Sequence, residues 1–233
     1  MIVTLKALSA LLSYPGAELQ QVAPETAAVL REENLLSAER VDDLALLLGE
    51  LASHDLYDLQ ERFVHLFDRS RTLSLNLFEH VHGDSRARGS AMVDLLETYR
   101  AADLEPVGPE LPDHLPILLE YLSQRSLAEA RDTLADAAHI FVALAERLDR
   151  RHSSYSAVFR ALVDLVATTA SAELIAEAAA SPDDDPDDLE ALDAVWEEAM
   201  VTFGPDPNAG CPQVRDMLAA MDRPAPKPLN RSA

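Results

Sequence analysis

Cysteine is nearly missing from this chain. Cys211 stands alone among 233 residues, so no disulfide can form within the chain and nothing in its thiol content points to an oxidising compartment. Lysine is almost as scarce: only Lys6 and Lys227 occur, and 19 basic residues, the rest of them arginines, face 41 acidic ones for a formal net charge of −22. A field of that sign opposes phosphate, which makes DNA, RNA and anionic membrane surfaces poor partners and favours a basic one. Glycines number seven and aromatics make up 5%, leaving little material for tight hairpins or strand-rich cores. No apolar run approaches the roughly 20 residues of a membrane helix. The opening Met1-Ile2-Val3-Thr4-Leu5-Lys6 has neither a basic n-region nor a signal-cleavage pattern. A cytoplasmic protein without membrane insertion is expected.

What the chain does have is apolar helix-forming material. Hydrophobic residues are 48% of the total, enough to exclude global disorder despite the charge, and Ala and Leu dominate them. An all-α fold follows, a single-domain helical bundle of about nine or ten helices. Residues 1–203 are expected to form that domain, and the proline-rich 204–233 a flexible tail.

The periodicity places most of the helices. Ile2, Leu5, Leu8, Leu11 and Leu12 share one face, and Ser13-Tyr14-Pro15-Gly16 ends it. A weaker helix is expected from Pro24 to Glu33. Ser37 caps a third with a Val41, Leu44, Leu47, Leu48, Leu51 stripe, and Asp55 a fourth that turns Leu59, Phe63, Leu66 and Phe67 inward. Leu73-Ser74-Leu75-Asn76-Leu77 alternates with period two, but a lone strand cannot satisfy its own backbone. It reads as an extended connector into a Gly83-Asp84-Ser85 turn, where Asp84 or Ser85 caps a helix carrying Met92, Leu95, Leu96 and Tyr99. Pro112 and Pro116 both suit a first helical turn, and Asp113 suits its N-cap. Ser126-Leu127-Ala128-Glu129 is a capping-box pattern that opens a long helix through Leu134, Ala138, Phe141, Leu144 and Leu148. A further helix runs from Ser154 through Val166 toward Ala180, an acidic loop spans Ser181 to Asp188, and a last helix carries Leu189, Leu192, Val195 and Trp196.

No catalytic constellation survives inspection. Gly83-Asp84-Ser85 matches the nucleophile block of GDS-type esterases, and Asp136-Ala137-Ala138-His139 has the spacing of their other catalytic pair. Those enzymes need a parallel sheet to lift the serine and Gly and Asn loops for the oxyanion; the helical periodicity here supplies neither. His80-x-His82 has ligand chemistry, but a di-iron bundle requires two Glu-x-x-His units. Asp183-x-Asp185-x-Asp187 lacks the glycine and the bidentate glutamate of a calcium loop. Cys211 has no histidine nearby to activate it. The expectation is a non-enzyme that holds no cofactor and no metal.

Three stretches carry the functional signal. Phe63-Val64-His65-Leu66-Phe67 closes one amphipathic segment, Glu110-Leu111-Pro112-Asp113-His114-Leu115 opens another, and His80 to Met92 lies between them. The aromatic-x-x-Leu-Phe element followed by Glu-x-Pro-Asp-His resembles the signature pair of the redox-enzyme maturation chaperones, the TorD/DmsD/NarJ group. The Gly83-Asp84-Ser85-Arg86-x-Arg88-Gly89-x-Ala91-Met92 block is similar to the NarJ branch, and Trp196-Glu197-Glu198 through Val201-Thr202-Phe203-Gly204 also looks like it.

The resemblance implies a TorD-like fold and a chaperone that binds the apo catalytic subunit of respiratory nitrate reductase through an N-terminal, leader-like segment. It implies support for iron–sulfur and molybdenum-cofactor insertion before membrane attachment, with molybdenum-cofactor biosynthesis proteins as further partners. Carried over to this chain, Glu110, Pro112, Asp113, His114 and Leu115 are the first client-binding residues, and Phe63, Leu66, Phe67 and Asp68 the second set. His80, Gly83, Asp84, Arg86, Arg88, Gly89 and Met92 match the branch-specific block without individual roles. A sibling chaperone for another molybdoenzyme is the alternative. Packing alone would also explain Phe63, Leu66 and Phe67, and helix capping would explain Asp113. A cleft between helices could use both sets, apolar floor from one and polar rim from the other.

Overall fold

The computed structural model describes residues 1–82, 86–166 and 174–176, all within one unit, Met1–Asp188. Among these residues the elements are ten α-helices: α1 (Val3–Leu11), α2 (Ala17–Glu33), α3 (Ala38–Ser53), α4 (Leu56–Phe63), α5 (Leu77–His82), α6 (Arg86–Ala101), α7 (Leu115–Ser123), α8 (Leu127–Ala135), α9 (Ala138–Arg150) and α10 (Ser156–Val166). A π-helical turn, Val64–Asp68, and a 3-10 turn, Arg71–Leu73, continue from α4. The all-helical expectation holds. The Gly83-Asp84-Ser85 turn, the 181–188 loop, the Trp196 helix, the Trp196 to Gly204 resemblance, Cys211 and the 204–233 tail all lie outside the described residues.

The apolar stripes become one core. Leu5, Leu8, Leu11 and Leu12 of the first stripe and Leu44, Leu47 and Leu51 of the third are essentially without solvent contact, as are Phe141, Leu144, Phe159 and Leu162. α2 packs on α3, α9 on α10, and α1 on both α7 and α2. Local caps appear where the sequence has them. Ser37 accepts from the Arg40 amide, Asp55 accepts from Tyr57 at 2.8 Å, and Ser126 with Glu129 closes a full capping box.

Some spans differ from the sequence reading. α2 begins at Ala17 and runs straight through Pro24; an internal proline costs about 3 kcal/mol, which the burial of Ala23 and Leu30 offsets. The long helix after Ser126 is two, broken at Asp136 and Ala137. Pro116 sits in the first turn of α7 as expected, whereas Pro112 lies in the loop ahead of it.

α1 and α7 are clamped together at both ends. The Ile2 amide donates to the Ser123 carbonyl at 2.6 Å, and the Ser9 hydroxyl donates to the Pro116 carbonyl at 2.7 Å. Glu33, at the end of α2, accepts from the Val3 and Thr4 amides at 2.7 and 2.5 Å, so a carboxylate satisfies the free amides that open α1. This clamp sets the end of α1 beside the start of α7.

Candidate functional site

The distinctive local geometry begins where α4 ends. From Val64 the helix widens into a π turn, a rare form that recurs at functional sites. Phe63 and Phe67 pack with tilted rings, 4.9 Å between centroids. Tyr155 meets Phe67 edge-on at 5.2 Å, and Tyr14, from the loop after α1, meets Phe63 edge-on at 5.9 Å. Phe63, Leu66, Phe67 and Tyr155 are buried, while Tyr14 is 56% exposed. The aromatic motif is therefore core on one side and a floor on the other.

The Glu110 to Leu115 segment meets this floor through the connector. Asn76 and His114 form an isolated antiparallel bridge, closed by the Leu115 amide on the Leu75 carbonyl at 2.8 Å and the Leu77 amide on the Asp113 carbonyl at 3.2 Å. Of the alternating stretch only Ser74 to Asn76 lie outside helices, Leu73 ending the 3-10 turn, and its bonding partner is the second motif. It stops earlier than the sequence suggests, because Leu77–His82 is helix α5. The cause is non-local. Asp113 Oδ2 accepts from the Phe78 amide at 3.0 Å across 35 residues, while Asn76, just before α5, leaves its own Oδ1 without a partner among the described residues. Asp113 does not cap its own helix: the N-cap of α7 is His114, with no side-chain cap bond.

Together these elements enclose a cleft of about 510 Å³. Ser9, Ser13 and Tyr14 line it from the end of α1, Phe63, Phe67 and Asp68 from the π turn, and Ser74, Leu75 and Asn76 from the connector. Val107 and Glu110 come from the loop before α7, and His114, Pro116, Ile117 and Glu120 from α7 and its cap. The cleft joins residues from both motifs: Phe63, Phe67, Asp68, Glu110 and His114. Leu66, Pro112, Asp113 and Leu115 do not line it. Leu66, Asp113 and Leu115 are buried, and the Pro112 carbonyl accepts from the Tyr99 hydroxyl at 2.9 Å, so these four hold the site from behind. A second hollow of about 290 Å³ shares Val107, Ile117 and Glu120 with the cleft.

The rim is acidic. Asp68, Glu110 and Glu120 line the cleft, and among the described residues no arginine or lysine does. Glu120 pairs with Lys6. Partial burial, and then the Glu110 carboxylate, push the Asp68 carboxyl above its ordinary 3.8, with His114 pulling the other way. Burial takes the His114 imidazole below its ordinary 6.5, against the pull of Glu110, Asp113 and Asp68. Its Nδ1 lies 3.4 Å from Glu110 Oε2 but meets no hydrogen-bond geometry among the described residues, and Asn76 Oδ1 and Asp113 Oδ1 are likewise buried without a partner there.

The branch-specific block supports the connector rather than the cleft itself. His80 Nε2 bonds the Ser74 carbonyl at 2.8 Å, and Arg88 donates to Glu79 at 3.0 Å. A side chain at Gly89 would meet nothing within 4 Å, so close packing does not explain that glycine, and Met92 is half-buried. Gly83 and Asp84, and the side chain of Arg86, lie outside the described residues. The sequence reading passed over Tyr14, Asn76 and Glu120. Only Tyr14 had a signal, as an aromatic set in a helix-stop sequence; Asn76 and Glu120 reach the cleft through non-local contacts.

Comparison with known proteins agrees with this architecture. A family model described as the nitrate reductase delta subunit matches residues 30–161. The chain is 43% identical to the nitrate reductase molybdenum cofactor assembly chaperone NarJ of Escherichia coli (strain K12), over 90% of this chain and 88% of that protein. It is 38% identical to NarW of the same strain, described as a probable chaperone of the same kind, over 89% of this chain and 86% of that protein. A solved Archaeoglobus fulgidus structure, described as a redox enzyme maturation protein, superposes with a TM-score of 0.51 at 23% identity, covering 72% of this chain and 94% of that one.

Proposed function

Since this chain belongs to the nitrate reductase delta subunit family, as a NarJ-type assembly chaperone, we propose that its cleft binds the N-terminal segment of the apo catalytic subunit of respiratory nitrate reductase. The observation that carries the reading is the convergence of both motifs on one cleft with an aromatic floor and a carboxylate rim where, among the described residues, no arginine or lysine lines the space. A basic amphipathic segment is its complement: apolar side chains enter over Tyr14, Phe63, Phe67 and Ile117, and cationic ones face Asp68, Glu110 and Glu120.

Bound there, the subunit stays competent for iron–sulfur and molybdenum-cofactor insertion in the cytoplasm and is kept from its membrane partner until mature. No described helix is long and apolar enough to cross a membrane. The names of the related chaperones favour a nitrate reductase client over an amine-oxide or sulfoxide reductase.

Calorimetry with a synthetic peptide of the client N-terminus tests the reading. Ordering such a segment costs about 2–5 kcal/mol, so a micromolar dissociation constant, about −8 kcal/mol, is expected, and it suits a partner that must later leave. Absence of heat at high peptide concentration, with the protein folded, would overturn client binding at this site.

Acidity should weaken the complex. His114, lowered below 6.5, is neutral at neutral pH and gains a positive charge on acidification. Asp68, raised above 3.8, loses its negative charge earlier than a free aspartate would. Both changes remove attraction for a basic segment, so affinity should fall as pH drops from about 7 toward 4, and His114→Asn should flatten the upper part of that fall. The stability signs differ. A histidine with a lowered folded-state value makes the unfolded chain bind more protons, so its contribution is lost as pH falls below 6.5. The raised aspartate instead favours the fold as pH falls toward 3.8. Titration of peptide affinity against pH checks the prediction; affinity that rises on acidification would contradict it.

A further inference from the structure

We propose that Asn76 is the group by which the cleft selects an arginine over a lysine in the bound segment, and that Arg88, acting through Glu79, is the positioning residue that holds Asn76 for this task. The inference deepens the client-binding reading, on which it rests, by naming the chemistry of one contact and giving a role to a residue of the 83–92 block.

The geometry runs from the inside outward. Arg88 donates to Glu79 Oε1 at 3.0 Å, with both side chains largely shielded from solvent. Glu79 is a hub. Burial opposes its charge, but hydrogen bonds from Ser74, Arg88 and Asn76 outweigh that and hold its carboxyl below the ordinary range. The Ser74 hydroxyl in turn accepts from the Asn76 amide at 3.2 Å. Ser74 and Asn76 are cleft-wall residues. Arg88 therefore acts on the wall of the cleft without touching its contents.

Asn76 is then left with one unmet requirement. Its backbone carbonyl accepts from the Glu79 amide at 3.1 Å, while its Oδ1 is shielded from water and has no donor among the described residues. A buried acceptor in that state is satisfied when a donor arrives. The bridge to His114 sets Asn76 beside the residue whose Nδ1 lies 3.4 Å from Glu110, so the acceptor stands next to the acidic rim.

A guanidinium fits this arrangement better than an ammonium. Its planar fork carries five donors, and it can give to a rim carboxylate and to the Asn76 oxygen together. An ammonium is a compact, strongly hydrated point charge that the carboxylates alone satisfy.

The test has two arms on the full-length protein. In the first, ethylguanidinium chloride and ethylammonium chloride are titrated while NMR follows the Asn76 side-chain amide signals. A saturable shift with ethylguanidinium alone supports the proposal; equal shifts, or none with either salt, overturn it. In the second, the client N-terminal peptide is compared with a copy in which every arginine is lysine. Wild-type protein should prefer the arginine form by about tenfold, and Asn76→Ala should erase that preference. Asn76→Ser, which keeps a small polar side chain at the bridge, replaces it if the alanine variant does not fold. Arg88→Gln should reduce the preference, and Arg88→Lys, which keeps a cation on Glu79, should restore part of it. Equal weakening of both peptides by Arg88→Gln would make Arg88 a general support and refute its role. If neither peptide binds while ethylguanidinium still shifts Asn76, the client reading fails and the guanidinium subsite stands.

Discussion

Phe67→Ala is expected to lower the unfolding free energy by about 3–5 kcal/mol, the usual range for emptying a buried phenylalanine position. The Phe67 ring is 5% exposed and lies against Phe63, which ends α4, at 4.9 Å and Tyr155, just before α10, at 5.2 Å, so filling the space would require both of these separately anchored rings to move. For a domain of this size the loss corresponds to a fall in Tm of roughly 10 °C, a large share of a stability that is typically about 5–15 kcal/mol. Thermal and urea unfolding followed by circular dichroism measure it. Phe67→Leu should recover most of the loss, yet still bind client peptide less well because the aromatic floor is incomplete. A change under about 1 kcal/mol for the alanine variant would mean that Phe67 is not part of the core.

Asp113→Ala and His114→Ala should separate the two roles of the second motif. Asp113 is fully buried, and its carboxylate satisfies the Phe78 amide that opens α5. Removing it takes away the carboxylate to which that amide donates at the start of α5, at a cost of about 2–4 kcal/mol. Hydrogen exchange at the Phe78 amide should accelerate, and peptide affinity should fall as a consequence, because the same residue anchors the connector wall. Asp113→Asn, which keeps an acceptor in place, should lose less. His114→Ala should cost less stability than Asp113→Ala, since its ring, though largely buried, leaves Nδ1 without a hydrogen bond among the described residues, while altering peptide binding and its pH dependence. Equal effects of the two alanine variants on stability would show that the division between support and contact is wrong.

That division limits what motif resemblance could reveal. The resemblance nominates Glu110, Pro112, Asp113, His114 and Leu115 together because they are contiguous. In the fold, Glu110 and His114 line the cleft, while Asp113 and Leu115 turn inward and Pro112 contributes its carbonyl to Tyr99. Neighbouring residues in a turn point in different directions, so one motif holds both contact and scaffold. The same holds in the π turn, where Phe67 and Asp68 line the cleft and Leu66 does not.

The 83–92 block shows a different limit. Its residues match a branch without showing a purpose, because their partners lie elsewhere in the chain. Arg88 finds Glu79, the Glu79 amide donates to the Asn76 carbonyl, and through them Arg88 reaches the wall of the cleft.

Helical class, the leucine stripes of α1 and α3 and the caps at Ser37, Asp55 and Ser126 were all settled by the order of residues. Each is decided within one or two turns of chain, where apolar periodicity and side-chain capping act. The acidic balance was equally a matter of composition. Tertiary structure alone decided that Asp113 starts a helix 35 residues earlier in the chain, that Asn76 pairs with His114, and that Tyr14, Phe67, Asp68 and Glu110 face one space. Those outcomes depend on contacts between distant segments, whose direction is set by packing and by the need of buried backbone groups to find partners, and no local pattern encodes them.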